Sequence, residues 1–304
     1  MEINETTILD DRGFVKINGD EAKSFLQNIV TNDIEKITDS LTLFSSIFTP
    51  QGKYLYEFFI LKFEDGYLLE CEKKVTSEII KIFNFYKLRT KVNLIDVSNK
   101  YTNIIISLGK FKEITKTQHV GGSVSSCEEG STLSCENERI YIDPRNKNLG
   151  AKIITKIENI ENIIKKLNLR NVDKENYYKK SFKLGIPQIN LNKLKDKIFG
   201  IENNLDELNG IDFKKGCYVG QENTSRIKLR NKLSKRLLPI QLIKGNLEEG
   251  ASIFNNKNEV GKILINNDQP FGLIKYLSDH FNHEAEFRSE NATFKIKKPD
   301  WIKK

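Results

Sequence analysis

The sequence has few of the residues that build metal sites and cross-links. Among its 304 residues are four cysteines and three histidines. The cysteines include no C-x-x-C pair and have no histidine at the spacing of a metal site; they are Cys71, Cys127, Cys135 and Cys217. We therefore expect no metal site built by this chain alone, and free thiols in a reduced compartment.

Long hydrophobic runs are also missing. No stretch approaches the roughly 18 apolar residues that span a bilayer, and residues 1–11 are acidic and lack the apolar run of a targeting segment. Hydrophobic residues make up 38% and charged residues 30% of the chain, which is typical of globular proteins. We expect a cytoplasmic protein without a membrane partner, and two or three domains because 304 residues exceed one ordinary core.

Positive charge is in excess but is not concentrated. The formal net charge is +8, and clustered Lys and Arg would favour binding to nucleic acid. The lysines are instead dispersed along the chain, so no dedicated nucleic-acid surface is expected. An RNA-binding protein stays open as an alternative, because ten tyrosines and eighteen phenylalanines could stack on bases.

The first hundred residues alternate between strand-like and helix-like patterns. Apolar residues at helical spacing predict helices at 22–30 and 75–86, and β-type runs predict strands at 12–17, 41–48, 54–63, 66–71 and 91–97. This order matches a split βαβ arrangement. We predict a ferredoxin-like α+β module over residues 1–100.

Two further modules are predicted from the remaining pattern. Residues 101–230 read as a second α+β module, with a strand at 103–108, a polar loop at 121–134 and helices at 153–169 and 176–184. Residues 231–304 contain short β-type runs separated by glycines, which is typical of a small antiparallel β-barrel.

One segment combines the features of a reactive site. Lys214 to Glu222 reads KKGCYVGQE and places Cys217 between two glycines, after two cations and ahead of a predicted helix. Glycines allow a ligand to approach the backbone, while ammonium groups and a helix N-terminus favour thiolate over thiol. Cys217 is thus a candidate reactive thiol that Lys215 would tune; the alternative is a small buried group in a tight turn.

Two arginines follow the thiol. Arg226 and Arg230 lie four residues apart and share one face of the predicted helix. Guanidinium groups in this arrangement can meet an anionic ligand, and a solvated basic face is the alternative.

The segment resembles the signature of the YgfZ family, which is related to the glycine-cleavage T-protein, an aminomethyltransferase. In that signature Lys-Gly-Cys-aromatic-x-Gly-Gln-Glu precedes a helix with an arginine, and this chain matches it from Lys215 to Glu222 and at Arg226. Weaker matches to the family pattern extend over nearly the whole chain. They include residues 25–27 with 31–33, then 49–53, 86–89, 143–145 with 150, and 185–187.

The resemblance implies three domains around a central opening and a tetrahydrofolate-type ligand. By position in the family pattern, Glu202 would hold the pterin ring, and Tyr218, Arg226 and Arg230 would complete the folate site, near Cys217. The implied role is assembly or repair of iron–sulfur clusters in other proteins, which would be client or carrier partners, with an indirect effect on tRNA modification. The chain departs from the family pattern at two positions: Phe199-Gly200 stands where the family has a proline, and Asn231 replaces a glycine.

A true tetrahydrofolate-dependent aminomethyltransferase is the first alternative to this role, ahead of an RNA-binding protein. The relatives that catalyse this transfer carry an acid pair after a Gly-Gly turn, because a carboxylate must be poised beside the folate nitrogen. Here the comparable strand has Tyr56 in place of the first acid and keeps only Glu57. The missing acid argues against an enzyme of that kind.

Overall fold

The computed structural model describes residues 2–117, 128–135, 138–230 and 233–302. The six α-helices of this part of the chain are α1 Ala22–Ile29, α2 Thr76–Lys87, α3 Leu108–Thr117, α4 Ile160–Lys166, α5 Lys174–Lys183 and α6 Gln221–Leu229. The strands of the first two sheets are β1 Glu5–Leu9, β2 Arg12–Asn18, β3 Leu43–Phe48, β4 Tyr54–Phe63, β5 Gly66–Glu72, β6 Asn93–Asp96, β7 Tyr101–Ile106, β8 Thr132–Cys135, β9 Glu138–Ile142, β10 Ala151–Lys156 and β11 Arg170–Asn171. The remaining strands are β12 Arg236–Gly245, β13 Ser252–Asn255, β14 Asn258–Ile265, β15 Phe271–Ile274, β16 Glu286–Ser289 and β17 Ala292–Ile296.

The order of elements predicted for residues 12–97 is confirmed. Its five strands form one sheet in the order β3-β4-β5-β2-β6. The two helices of this region meet through aromatic side chains, since the rings of Phe25 on α1 and Phe83 on α2 lie 5.8 Å apart, edge to face. Apolar residues at helical spacing therefore form the buried stripe of each helix, as the sequence pattern requires.

A second sheet combines strands that are distant in the sequence. Its order is β11-β1-β7-β10-β9-β8. One face is covered by an apolar cluster that contains Ile104, Phe111, Ile153 and Ile163, contributed by two strands and by helices α3 and α4. The helices are needed because alternate residues of these strands are isoleucines that must be removed from water.

The predicted C-terminal barrel is confirmed. Six strands close in the order β12-β15-β14-β13-β16-β17, all paired antiparallel. The buried side chains inside include Ile240, Ile263, Phe287 and Phe294. Closure removes the unpaired edges that an open sheet of these strands would present.

One predicted helix is wrong. Residues 153–169 form strand β10 at their start, then a 3₁₀ turn and the shorter helix α4. The run Ile153, Ile154 and Thr155 is β-branched, and it pairs with β7 on one side and β9 on the other. The predicted helix at 176–184 is confirmed as α5, and most of the predicted loop at 121–134 lies outside the described residues.

The chain folds into two compact units. Unit 1 is Met1–Ile47, Glu57–Tyr177 and Leu208–Val219; unit 2 is Phe48–Tyr56, Tyr178–Glu207 and Gly220–Lys304. Both units are discontinuous in sequence. The three contiguous modules, 1–100, 101–230 and 231–304, stay a prediction.

Candidate functional site

The segment with the cysteine is tied to unit 1 at both ends. The backbone N–H of Asp212 donates to the carbonyl of Thr31 at 3.1 Å, and the N–H of Val219 donates to the carbonyl of Asn28 at 3.3 Å. Asp212 also forms an ion pair with Lys36. The chain between these two anchors is a short loop that starts and finishes beside the C-terminal end of α1.

Lys215 holds the middle of this loop. Its side chain is buried, and its ammonium donates to the backbone carbonyls of Gln27 and Val30, both at 2.7 Å, and of Asn32 at 2.9 Å. All three ammonium donors are thus used on carbonyls at the end of α1 and just beyond it, where a helix leaves acceptors unpaired and favours a cation. Burial lowers the pKa of Lys215 to about 8, while nearby Asp33 and Asp212 favour the charged form.

Cys217 lies in the exposed part of the loop. The thiol is free, the residue is exposed, and no described residue hydrogen-bonds its Sγ. The alternative of a buried group in a tight turn is therefore wrong. Gly216 is exposed as well, and a Cβ at this position would meet nothing within 4 Å. The space before the thiol is open, whereas tuning of Cys217 by Lys215 stays a prediction.

Tyr218 anchors the other side of the thiol. The residue is 7% exposed, and its ring centroid lies 5.1 Å from the Lys215 Nζ. Burial raises the pKa of Tyr218 well above that of an exposed tyrosine. Two buried side chains thus bracket two exposed residues, which presents Cys217 to solvent on a fixed support.

Glu202 lies in unit 2, on the 3₁₀ turn Gly200–Asn203. It is half-buried, and its Oε2 accepts the backbone N–H of Phe199 at 2.8 Å, as in one half of a capping box. No described residue donates to its Oε1. Burial raises the pKa of Glu202, and Lys53 and Lys235 oppose this rise. The carboxylate is thus held in place with one oxygen available.

The two arginines are carried by α6, which packs against that turn within unit 2. The helix begins after Gly220, whose φ is +84° and where a Cβ would lie 2.4 Å from the Thr49 carbonyl. Arg226 lies in the last turns of the helix and Arg230 at its C-cap; both are exposed, and neither pairs with an acid among the described residues. The predicted helix and its basic end are confirmed.

The six predicted site residues divide between the units. Lys215, Cys217 and Tyr218 belong to unit 1, and Glu202, Arg226 and Arg230 belong to unit 2. Within unit 1, Lys215, Cys217 and Tyr218 are close in the chain. Within unit 2, the helix that carries Arg226 and Arg230 packs against the turn that carries Glu202. Their convergence on one ligand stays a prediction.

The sequence reading missed a cavity of about 670 Å³ in unit 1. Its lining includes Asn32, Lys36, Phe44, Pro144, Asp212 and Lys214, and none of the six predicted site residues. The volume suits a small molecule. Two of the family matches, at residues 31–33 and 143–145, could have indicated the cavity, because Asn32 and Pro144 line it.

A buried charge cluster in unit 1 was also missed. Glu70 is fully buried; its Oε1 accepts from Arg12 Nε at 2.9 Å and Lys152 Nζ at 2.8 Å, and the Tyr141 hydroxyl donates to Oε2. Burial disfavours the Glu70 carboxylate, but the two cations outweigh it and lower its pKa to about 2. Burial also lowers the pKa of Lys152 to about 8. Two neighbouring cations favour the charged form of Glu70, whereas for Lys152 burial outweighs the attraction of Glu70, and repulsion by Arg12 adds to the effect of burial.

The acid retained at the position of the enzymatic pair is itself near a cation. Arg145 binds Asp143 through two bonds, at 3.0 Å from Nε and 2.7 Å from Nη2, and its Nη1 lies 4.0 Å from Glu57. Glu57 is thus beside a buried guanidinium.

Two further observations concern metals and membranes. Within the described ranges, no three His, Cys, Asp or Glu side chains are grouped so that they could hold a metal ion. Among the helices described, none has the length and apolar character to cross a bilayer.

Comparison with known proteins relates the chain to iron–sulfur assembly factors. No family model matches. It is 28% identical over 247 residues to the mitochondrial iron–sulfur cluster assembly factor IBA57 homologue of Neurospora crassa, covering 77% of this chain and 52% of that protein. The homologue of Mycosarcoma maydis is 28% identical over 80% of this chain and 58% of its own length, and IBA57 of Mus musculus is 25% identical over 77% and 65%. The chain thus spans a little over half the length of the first two relatives.

These relatives are mitochondrial proteins, which contradicts the expectation of a cytoplasmic protein. The structure matches the glycine cleavage system aminomethyltransferase T of Bartonella henselae with a TM-score of 0.75, over 98% of this chain and 86% of that one, at 10% identity. That match confirms the predicted fold class, and the YgfZ family itself stays a prediction. The chain has the aminomethyltransferase fold and is similar in sequence to iron–sulfur cluster assembly factors.

Proposed function

We propose that this chain is an accessory factor in the assembly or repair of iron–sulfur clusters in other proteins, and that the thiol of Cys217 is its reactive group. The observation that carries the proposal is the exposed thiol between two buried anchors, Lys215 and Tyr218. The similarity to assembly factors supports the same role. A thiol that is accessible but fixed in position can act on a partner protein without first rearranging its own support.

The chemistry proposed for Cys217 is that of a transient thiolate partner. The thiol releases its proton to solvent, and the sulfur then becomes a ligand for iron that is passing between a carrier and a client. The sulfur binds the iron only transiently, and the iron–sulfur bond breaks when ligands of the client replace it.

A tetrahydrofolate-type ligand is the second part of the proposal, with Glu202 as its pterin-binding residue. Glu202 fits the task because its Oε1 is free of donors from the described residues, while the bond from Phe199 fixes the carboxylate. A carboxylate can accept parallel N–H bonds from a pterin ring. Arg226 and Arg230 are exposed cations on the helix that packs against the same turn, and they suit the anionic part of a folate.

The thiol role is tested by complementation. In cells that lack this protein, the activity of a labile iron–sulfur enzyme and an iron–sulfur-dependent tRNA modification are measured under oxidative stress. Wild type should restore both and Cys217→Ala neither, although the variant should fold normally because Cys217 is exposed. Lys100→Met, at an exposed lysine of unit 1 outside this loop, is the control. Full rescue by Cys217→Ala would reject the thiol role.

The folate role is tested by direct titration with tetrahydrofolate. Glu202→Gln should weaken binding about tenfold or more, because it loses charge-assisted bonds to the ring. Glu290→Gln, an exposed acid in the same unit, should bind like wild type. Equal affinity of the Glu202→Gln and wild-type proteins would remove Glu202 from the site.

A further inference from the structure

Two large apolar side chains are exposed at the end of helix α2. Phe85 is 75% exposed and Leu88, the C-cap residue, is 86% exposed. They lie three residues apart, in the last turn of the helix and at its C-cap, while Ile79 and Phe83 of the same helix are buried. Neighbouring exposed apolar groups of this size are a feature of interaction surfaces.

The backbone at Leu88 adds a second observation. Its φ is +48° and its ψ is −111°, and the Thr90 N–H donates to the Lys87 carbonyl at 2.8 Å. These are the angles of the first central position of a type II′ turn, which glycine normally occupies. A leucine here costs conformational energy, and its exposed side chain recovers none by burial within the chain.

The charged side chains of residues 79–95 are all positive, and the carboxylate of Glu21 reaches the backbone of Lys91 beside them. Lys81, Arg89 and Lys91 are exposed, and none pairs with an acid among the described residues. Residues 79–95 contain no Asp or Glu. A surface with an apolar centre and a basic rim complements an acidic surface with an apolar contact.

This surface adjoins the helix that supports the thiol loop. The backbone N–H of Lys91 donates to the Glu21 carboxylate at 2.7 Å, just before α1 begins, and the carbonyls bound by Lys215 lie at the opposite end of α1. Eight helical residues rise about 12 Å. One protein interface of roughly 800 Å² per partner is wide enough to cover both ends.

We infer that Lys81, Phe85, Leu88, Arg89 and Lys91 form a docking surface for an acidic iron–sulfur protein that exchanges iron with Cys217. We call it the α2-end surface. This inference rests on the proposed function and adds to it the place and chemistry of the partner contact. The exposed face of α1 between the surface and the thiol loop lies within the same interface.

The test separates binding from folding. Leu88→Gly removes the apolar anchor and suits the turn, so its Tm should equal or exceed that of wild type. Partner binding should weaken about tenfold or more, because the partner loses the apolar side chain that it would cover, and rescue at limiting expression should fall accordingly. Leu88→Met should retain rescue. Leu277→Ser, at another exposed leucine, is the control and should behave as wild type.

A cross-linking arm reports on docking even if rescue fails. A benzophenone amino acid at position 85 should cross-link in cells to an acidic protein with iron–sulfur ligands, and the double variant Arg89→Glu, Lys91→Glu should abolish the adduct. Unchanged rescue by Leu88→Gly would overturn the inference while leaving the role of Cys217 intact. Sedimentation with phosphatidylglycerol vesicles that depends on Leu88, with cross-links to lipid alone, would assign the surface to a membrane and overturn it as well. Failure of wild type to rescue would reject the proposed function instead.

Discussion

Replacing Lys215 with methionine should loosen the loop that presents Cys217. A methionine side chain is nearly as long as that of lysine, but it has no N–H group to donate to the carbonyls of Gln27, Val30 and Asn32. Each buried acceptor that loses its partner costs about 1–3 kcal/mol, and relief from burying the ammonium offsets part of the sum. We expect the free energy of unfolding to fall by about 2–4 kcal/mol.

Urea unfolding measures this change, with an m-value equal to that of wild type. Hydrogen exchange of the Asp212 and Val219 amides, which frame the loop, should become faster. Lys214→Met is the control; since Lys214 is exposed, its effect should stay within about 0.5 kcal/mol. If Lys215→Met also stays within that range and both amides exchange as before, Lys215 does not hold the loop.

Three further predictions use other features of unit 1 and the signature. Gly216→Ala should leave Tm unchanged, because a Cβ at this position meets no atom within 4 Å. Gly220→Ala should lower Tm, because the φ of Gly220 is +84° and a Cβ there would lie 2.4 Å from the Thr49 carbonyl oxygen. Equal Tm values of the two variants would contradict this. The folded-state pKa of Glu70 is about 2 and its ordinary pKa is 4.5, so its stabilisation is present above pH 4.5 and is lost as the pH falls towards 2. The loss should be about 3 kcal/mol, and Glu70→Gln should show a flatter stability profile below pH 4.5 in urea titrations. Mass-mapped alkylation should modify exposed Cys217 before Cys71, whose pKa burial raises to about 12, and the reverse order would refute the assigned exposures.

Much of the secondary structure follows from local pattern. Apolar residues three and four apart place α1 and α2, because one stripe of each helix must leave water. Short β-type runs between glycines predict the C-terminal barrel, since an antiparallel sheet with one buried face alternates and turns in this way. Apolar spacing predicts the wrong element at the start of residues 153–169. The β-branched residues there favour a strand, and pairing with β7 and β9 stabilises it.

The signature marked the candidate segment, and its residue types suggested a thiol near cations. Whether the cations act on the sulfur depends on distances that spacing along a chain does not contain. Lys215 and Cys217 are two residues apart, yet the ammonium binds carbonyls at residues 27–32 while the thiol faces solvent. The exposure of Leu88, just beyond the predicted helix 75–86, likewise does not follow from the sequence, because most leucines are buried. The burial of Lys215 and the exposure of Cys217 and Leu88 are decided by long-range contacts, because the residues that cover a side chain or bind to it come from parts of the chain that meet only on folding.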